Sequence, residues 1–192
     1  MGLADEFTVE MAQNVMQIGD AAERLAALTG QNAFVRRLPD GVTYRFHHMM
    51  KECALRVFLT LPQERRNDCR RRFGAWYEQH RQYLHAMHAY YQSGDYHALL
   101  RVVQQDAGIL LSSLDPKNVL DFLDKCPEDT LKAHPAALLV LMRSMFNWRN
   151  IPRMLTLRQL LLTAIDEDPQ RSAEERGNLL GECDLIMSFL CY

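Results

Sequence analysis

The sequence lacks the features that would point directly to a membrane, a metal site or secretion. No apolar run approaches the roughly 20 residues that a helix needs to span a bilayer. The acidic start, residues 1–6, has no apolar signal-peptide segment. The five cysteines are widely spaced and form no Cys-x-x-Cys pair, so their spacing predicts neither a zinc site nor a disulfide framework. We therefore expect a cytoplasmic protein with reduced thiols, no metal and no membrane contact.

Motifs for phosphate binding and catalysis are missing as well. The sequence contains no G-x-x-x-x-G-K-[ST] loop, and no nucleophile–base pair or carboxylate pair stands out, so we do not expect an enzyme. The formal net charge is −2 and the pI is near 6.4, whereas a nucleic-acid-binding domain typically has a pI above about 9. The 192 residues and the hydrophobic content of 48% allow one globular domain or two small ones.

The clearest β-signal is a hairpin near the N-terminus. Residues 33–38 and 42–46 favour strands, and Pro39-Asp40-Gly41 favours the turn between them, because glycine adopts the positive φ that a tight turn requires. A helix is predicted to begin directly after the second strand, at His47-His48. A hairpin with helices on both sides is the arrangement of a winged-helix domain. We predict a partial, winged-helix-like subdomain over residues 1–60.

The rest of the chain has the spacing of amphipathic helices. Pro62 is predicted in the first turn of a helix on which Phe73, Trp76 and Tyr77 share one face. Leu84, Met87, His88 and Tyr91 repeat that spacing on the next helix. Further helices are predicted over residues 96–112, 117–125, 136–148, 153–166 and 172–192. Short connections require antiparallel neighbours, so the whole chain is predicted to be mostly α, with residues 61–192 forming part of an irregular, TPR-like α-solenoid of helix pairs.

Several motifs follow one another in an order that is typical of one protein family. They are Asn32-Ala33-Phe34-Val35, Tyr44-Arg45-Phe46-His47-His48, Phe73-x-x-Trp76-Tyr77-Glu78-x-His80, Ala86-x-x-Ala89-Tyr90-Tyr91-Gln92-Ser93-Gly94-Asp95-Tyr96 and Leu120-Asp121-Phe122-Leu123-x-x-Cys126-Pro127. Over residues 7–165 the chain resembles the middle of the ATP-dependent LuxR-type transcription regulators, the MalT-like signal-transducing NTPases. Two segments depart from the family: aromatic residues replace small and acidic ones in residues 86–91, and cysteine stands before Pro127 where leucine is common.

The resemblance implies a non-catalytic middle fragment that couples nucleotide state to effector binding. In such regulators an NTPase domain that binds ATP or ADP lies upstream, and DNA is bound by a C-terminal domain, so neither is expected in this fragment. The helical repeats are expected to bind a small-molecule effector or a regulatory protein. The apolar residues 185–192 also lead us to expect that the chain was excised from a longer one.

The resemblance further implies that His47 senses nucleotide. In the family a histidine at the start of this helix contacts the phosphates of ADP and is followed by an aspartate, which His48 replaces here. The chemistry is reasonable in its own right, because a helix N-terminus presents unpaired N–H groups and a partial positive charge to an anion. The alternative is that His47 only packs at a strand–helix junction.

Two other functions remain open. A stand-alone helical-repeat adaptor would bind peptides on a surface formed by Tyr90, Tyr91, Tyr96 and Trp148, although tryptophan is more often a core residue. A winged-helix regulator would bind DNA through the hairpin arginines Arg36, Arg37 and Arg45.

Two further groups of residues have simpler explanations. His85 and His88 lie one helical turn apart near Glu78 and Asp95, but no complete ligand set accompanies them, so we predict no metal site. The basic run at Arg65, Arg66, Arg70, Arg71 and Arg72 is interpreted as a solvated helix face.

Overall fold

The structure is a computed structural model that describes residues 1–30, 34–107, 109, 111 and 114–191. Of residue 191 it describes the backbone only. The chain is mainly helical, with a small antiparallel sheet near the N-terminus, which confirms the predicted fold class. It forms two compact units, Met1–Gly94 and Asp95–Tyr192. The boundary predicted at residue 60 stays a prediction, and the two compact units divide the chain after Gly94.

The first unit alternates short strands with helices. Its elements in chain order are β1 (Glu6–Thr8), α1 (Val9–Met16), α2 (Ala21–Gly30), β2 (Val35–Arg37), β3 (Thr43–Phe46), α3 (His48–Thr60), α4 (Gln63–Gln79) and α5 (Tyr83–Ser93). Pro62 is the N-cap of α4 and not part of its first turn, which corrects the predicted start by one residue.

The sheet has the order β1-β3-β2, with β3 at its centre. The hairpin β2–β3 confirms the predicted strand-turn-strand element, and Gly41 has the positive φ of +72° that the turn requires. Ala33, which was assigned to the first strand, lies outside the described residues. Strand β1 was not predicted, because three residues are too few to show an alternating pattern. Phe7 in β1 is buried and pairs with Tyr44 in β3.

The core of the first unit lies between the sheet and the helices α1, α2, α4 and α5. It includes Phe7 and Tyr44 from the sheet, Val15 from α1, and Phe73 and Trp76 from α4. The shared face of Phe73 and Trp76 was predicted from their spacing and is confirmed. On α5 the buried side chains include Met87 and Tyr90, while Leu84 is 36% exposed, so the predicted apolar face of that helix is rotated. By contrast, α3 has no buried residue among its thirteen.

The second unit contains α6 (Tyr96–Gln105), α7 (Pro116–Lys125), α8 (Glu128–Lys132), α9 (Pro135–Asn147), α10 (Ile151–Asp166), α11 (Ala173–Ser188) and a 3₁₀ turn (Phe189–Cys191). Helix α6 ends well before the predicted residue 112, because Ala107 adopts a left-handed conformation with φ of +52°. Leu110, Ser112 and Tyr192, which were placed in helices, lie outside the described residues.

Helix α9 is the central element of the second unit and packs against α6, α8, α10 and α11. Most of its side chains are buried, as its apolar sequence predicted. Side chains cap several helices: Asp95 accepts a hydrogen bond from the Ala98 N–H, and Ser172 and Glu175 form a capping box. No helix in the described part of the chain has both the length and the apolar character needed to cross a membrane.

Candidate functional site

A groove lies where the sheet of the first unit meets the start of α3. It encloses about 770 Å³. We call it the α3 groove and define it by its lining residues, which are Asp5, Phe34, Val35, Arg36, Arg45, Phe46, His47, His48 and Lys51. The hairpin strands β2 and β3 supply one wall and the first turn of α3 supplies the other. The residue that the sequence singled out, His47, is therefore part of a concave site and not of a flat surface.

His47 is the N-cap of α3, so the predicted start of this helix is confirmed. Its backbone N–H donates to the carbonyl oxygen of Phe34 at 2.6 Å, and its own carbonyl accepts from the Lys51 N–H at 3.0 Å. The imidazole forms no cap hydrogen bond. Both His47 and His48 are exposed, and their ring centroids are 4.5 Å apart. The backbone is thus well anchored, while the two imidazoles face the groove and solvent.

Phe34 has an unusual backbone conformation at the edge of the groove. Its φ is +58°, in the left-handed region that bulky residues rarely adopt. The side chain is 55% exposed, and its ring lies 6.2 Å from that of His47. Such a conformation costs about 1–3 kcal/mol and persists only where surrounding contacts hold it. The hydrogen bond from the His47 N–H to the Phe34 carbonyl is one such contact.

The groove contains more cationic than anionic side chains. Arg45 forms an ion pair with Glu6 across the β1–β3 ladder, and Lys51 forms one with Asp5. The hydrogen bond from Lys51 and its charge lower the pKa of the Asp5 carboxyl. Arg36 forms no ion pair with any described residue. Among the described residues the groove therefore presents one guanidinium without an ion pair, two imidazoles and a helix N-terminus, a set that suits an anion.

The four aromatic residues proposed for a partner surface have different environments. Tyr90 is only 3% exposed, and its hydroxyl donates to a carboxylate oxygen of Glu78 at 2.7 Å. Tyr90 is therefore a core residue, and its placement on a surface was wrong. Tyr91 is half-buried at the end of α5. In the second unit Tyr96 is half-buried at the start of α6, and the half-buried Trp148 is the C-cap of α9.

The hairpin arginines are also differently placed. Arg36 and Arg37 are exposed on β2, at the edge of the sheet, while Arg45 on the central strand is held by Glu6. Neither Arg36 nor Arg37 forms an ion pair with a described residue, although the charge of Arg37 acts on the Asp40 carboxyl.

Part of the basic run on α4 has structural contacts. Arg70 donates to the Gln92 carbonyl at 3.1 Å and lies over the ring of Phe58, 5.5 Å from its centroid. Arg72 forms an ion pair with Asp68 at 3.1 Å. Arg65 and Arg71 are exposed, as expected for a solvated helix face.

The histidine pair on α5 lies beside aromatic side chains. His85 and His88 line a small cavity of about 80 Å³ together with Phe73 and Tyr77, and His88 hydrogen-bonds to Gln92. Among the described residues no three or more His, Cys, Asp or Glu side chains are grouped so that they could hold a metal ion.

Sequence reasoning missed several residues of the α3 groove. Asp5 and Lys51 are distant in sequence and meet only because β1 pairs with β3. Phe34 belongs to a motif that was recognised, but nothing in the sequence indicates its left-handed conformation. No local pattern in the sequence indicates these pairs, because Glu6–Arg45 and Asp5–Lys51 join residues 39 and 46 positions apart.

Part of the chain matches a known protein family. The family model described as the MalT winged helix domain matches residues 1–67 of the 192. No curated protein and no solved structure matches the chain. The matched segment contains the whole α3 groove, and the match supports a MalT-like regulator.

Proposed function

We propose that this chain is the winged-helix segment and adjoining helical region of an ATP-dependent, LuxR-type transcription regulator, and that its α3 groove senses the phosphates of a bound nucleotide. The observation that carries this proposal is the position of His47. It is the N-cap residue of α3 and lines a cationic groove, within the segment that matches the MalT winged helix domain. The phosphate-binding loop that grips the rest of the nucleotide is expected upstream in the parent protein.

The groove suits a phosphate for three physical reasons. The His47 side chain does not cap α3, so it leaves the first-turn N–H groups available to an anion. Arg36 supplies a charge that no described acidic residue neutralises. The imidazole of His47 is exposed and can donate a charge-assisted hydrogen bond, which contributes about 1.5–3 kcal/mol. That is enough to shift a two-state equilibrium roughly tenfold to a hundredfold towards the state in which the phosphate is bound.

This part of the proposal can be tested on the chain itself with ADP and adenosine as probes. In NMR titrations ADP should shift the His47 imidazole signals and the first-turn amides of α3, while adenosine should not. His47→Ala should weaken the response to ADP by about tenfold. His88→Ala is the matched control, because His88 is an exposed histidine outside the groove, and it should leave the response unchanged. Equal responses to ADP and adenosine, or an unchanged affinity in His47→Ala, would overturn the proposal.

In the intact regulator the same substitution has a regulatory consequence. If the histidine holds the ADP-bound resting state, His47→Ala should raise basal transcription in the absence of inducer. The helices of the second unit are proposed to bind the small-molecule effector or regulatory protein that triggers activation. A deletion of residues 95–192 should therefore remove the response to inducer.

A second candidate function is direct DNA binding by the hairpin. It is favoured by the exposed Arg36 and Arg37 on the edge strand β2. A labelled duplex titrated at low salt separates the two functions, since binding through these arginines would weaken as salt rises. The leading proposal expects no such binding. Salt-dependent binding that is lost in the Arg36→Ala, Arg37→Ala double variant would favour the DNA-binding function instead.

A further inference from the structure

Two histidines of the second unit form a hydrogen bond that links α6 to α9. His97 lies in the first turn of α6, and His134 is the N-cap of α9. Nδ1 of His97 lies 3.1 Å from Nε2 of His134, and the ring centroids are 5.3 Å apart. The two residues are 37 positions apart in sequence, so the bond joins elements that only the fold brings together.

The bond depends on the number of protons that the pair carries. Two neutral imidazoles can form it, because one nitrogen donates an N–H and the other accepts with its lone pair. A first added proton leaves one acceptor in the pair. A second proton removes that acceptor and places two positive charges at hydrogen-bond distance, so the contact becomes repulsive.

The surroundings of this pair disfavour positive charge. Both imidazoles lie at helix N-termini, where the helix dipole opposes a cation. Burial lowers the pKa of His134, and the charges of His97 and Arg101 on α6 lower it further. On the neighbouring α8 the Lys132 ammonium is engaged by Asp129 and Glu167. Further along α9, Arg143 forms an ion pair with Glu182 of α11.

We propose that the His97–His134 pair is an acid-sensitive contact that fastens the start of α9 to α6 at neutral pH and is broken when both imidazoles are protonated. Because α9 packs against four other helices, weakening its N-terminal attachment loosens the second unit as a whole. This proposal does not depend on the function proposed above, since it concerns a different unit and no nucleotide.

The pH range over which the second unit loses stability follows from the lowered pKa of His134. The folded state resists protonation, whereas the unfolded chain takes up a proton near the ordinary histidine pKa of about 6.5. The stabilisation that neutral His134 provides is therefore complete above that pH and falls as the pH drops below it. It stops falling once the pH is below the lowered pKa of His134 in the folded state.

A double-mutant cycle on the full chain tests the contact directly. His97→Ala, His134→Ala and the double variant are unfolded with urea at pH 7.5 and at pH 5. At pH 7.5 we expect the two substitutions to be coupled by roughly threefold to tenfold in the unfolding equilibrium, as for one net hydrogen bond. At pH 5 the coupling should vanish or change sign. The cycle of His88→Ala with His134→Ala is the control and should show no coupling at either pH.

An NMR titration of the imidazole nitrogens provides a second measurement that does not require unfolding. The His134 signal should titrate below the ordinary histidine pKa of about 6.5, and His97→Gln should raise its midpoint. Protection against hydrogen exchange of the Leu138 amide, which donates to the His134 carbonyl at 3.1 Å, should also fall between pH 7.5 and pH 5. Coupling that is equal at both pH values, or a His134 midpoint unaffected by His97→Gln, would overturn the proposal.

Discussion

Gly74 on α4 lies directly against the ring of Tyr90 on α5. A Cβ atom at position 74 would come within 2.6 Å of Cε1 and 2.7 Å of Cδ1 of that ring. The absence of a side chain at Gly74 therefore lets the two helices approach with the tyrosine between them. The Tyr90 hydroxyl reaches back to Glu78 on α4, so the ring is held at both ends.

Gly74→Ala should destabilise the first unit. The added methyl group must displace a buried ring, which typically costs about 1–3 kcal/mol in a packed core, while alanine recovers about 1 kcal/mol of helix propensity. We expect a net loss of up to about 2 kcal/mol. Thermal denaturation followed by circular dichroism measures it.

Gly181→Ala is the matched control for this substitution. Gly181 lies inside α11, and a Cβ added there meets nothing within 4 Å. The propensity gain is then unopposed, and the variant should be stabilised by about 0.5–1 kcal/mol. Equal effects of the two substitutions would show that Tyr90 can move aside without cost.

The contact between Gly74 and Tyr90 also illustrates what sequence patterns miss. Helical spacing placed Phe73 and Trp76 on one buried face, because both are apolar and one turn apart. Tyr90 was assigned to a peptide-binding surface together with Tyr91, Tyr96 and Trp148. Tyr90 is buried because Gly74 on the facing helix leaves room for its ring. A glycine inside a helix does not indicate which residue packs on it.

The candidate site was predictable only in part, for a related reason. Asp40 and Gly41 mark the turn, and His47 follows the second strand, so the hairpin and the helix start can be derived from local signals. The groove itself depends on β1, whose three residues join the sheet through the long-range pairing of Glu6 with Arg45. Local sequence carries no information on such a pairing, which explains why Asp5 and Lys51 were missed.

The Asp40 carboxylate organises the hairpin turn beside the groove. It accepts hydrogen bonds from the Val42 N–H at 3.1 Å and the Thr43 N–H at 3.0 Å, and also from the Thr43 hydroxyl. The hydrogen bond from the Thr43 hydroxyl has the largest effect on the pKa of Asp40. Together with the two backbone hydrogen bonds it lowers that pKa below the ordinary value of 3.8. The ionised form is the one that the folded turn prefers.

The turn should therefore lose stability in acid. With a lowered folded-state pKa, the contribution of Asp40 is complete above about pH 4 and disappears as the pH falls through that pKa. Hydrogen-exchange protection of the Thr43 amide should drop over this range in the wild-type chain. In Asp40→Asn it should be lower at neutral pH but independent of pH. If wild type and Asp40→Asn show the same acid dependence, another group controls the turn.

The cysteines should differ sharply in reactivity, because only one of the four described thiols is accessible. Cys53 is exposed on α3, whereas Cys69, Cys126 and Cys183 are buried. Burial raises the pKa of Cys126 to about 11. At pH 8 roughly one Cys126 side chain in a thousand is then the reactive thiolate.

With iodoacetamide at pH 8, Cys53 should be alkylated at least about a hundredfold faster than Cys126, since Cys53 is accessible whereas burial keeps the Cys126 thiol protonated. Mass spectrometry of tryptic peptides measures each rate separately. In 8 M urea the rates should converge, because unfolding removes the burial that raises the pKa of Cys126. Comparable rates in the folded chain would mean that the C-terminal end of α7, where Cys126 caps the helix, opens to solvent more often than its packing indicates.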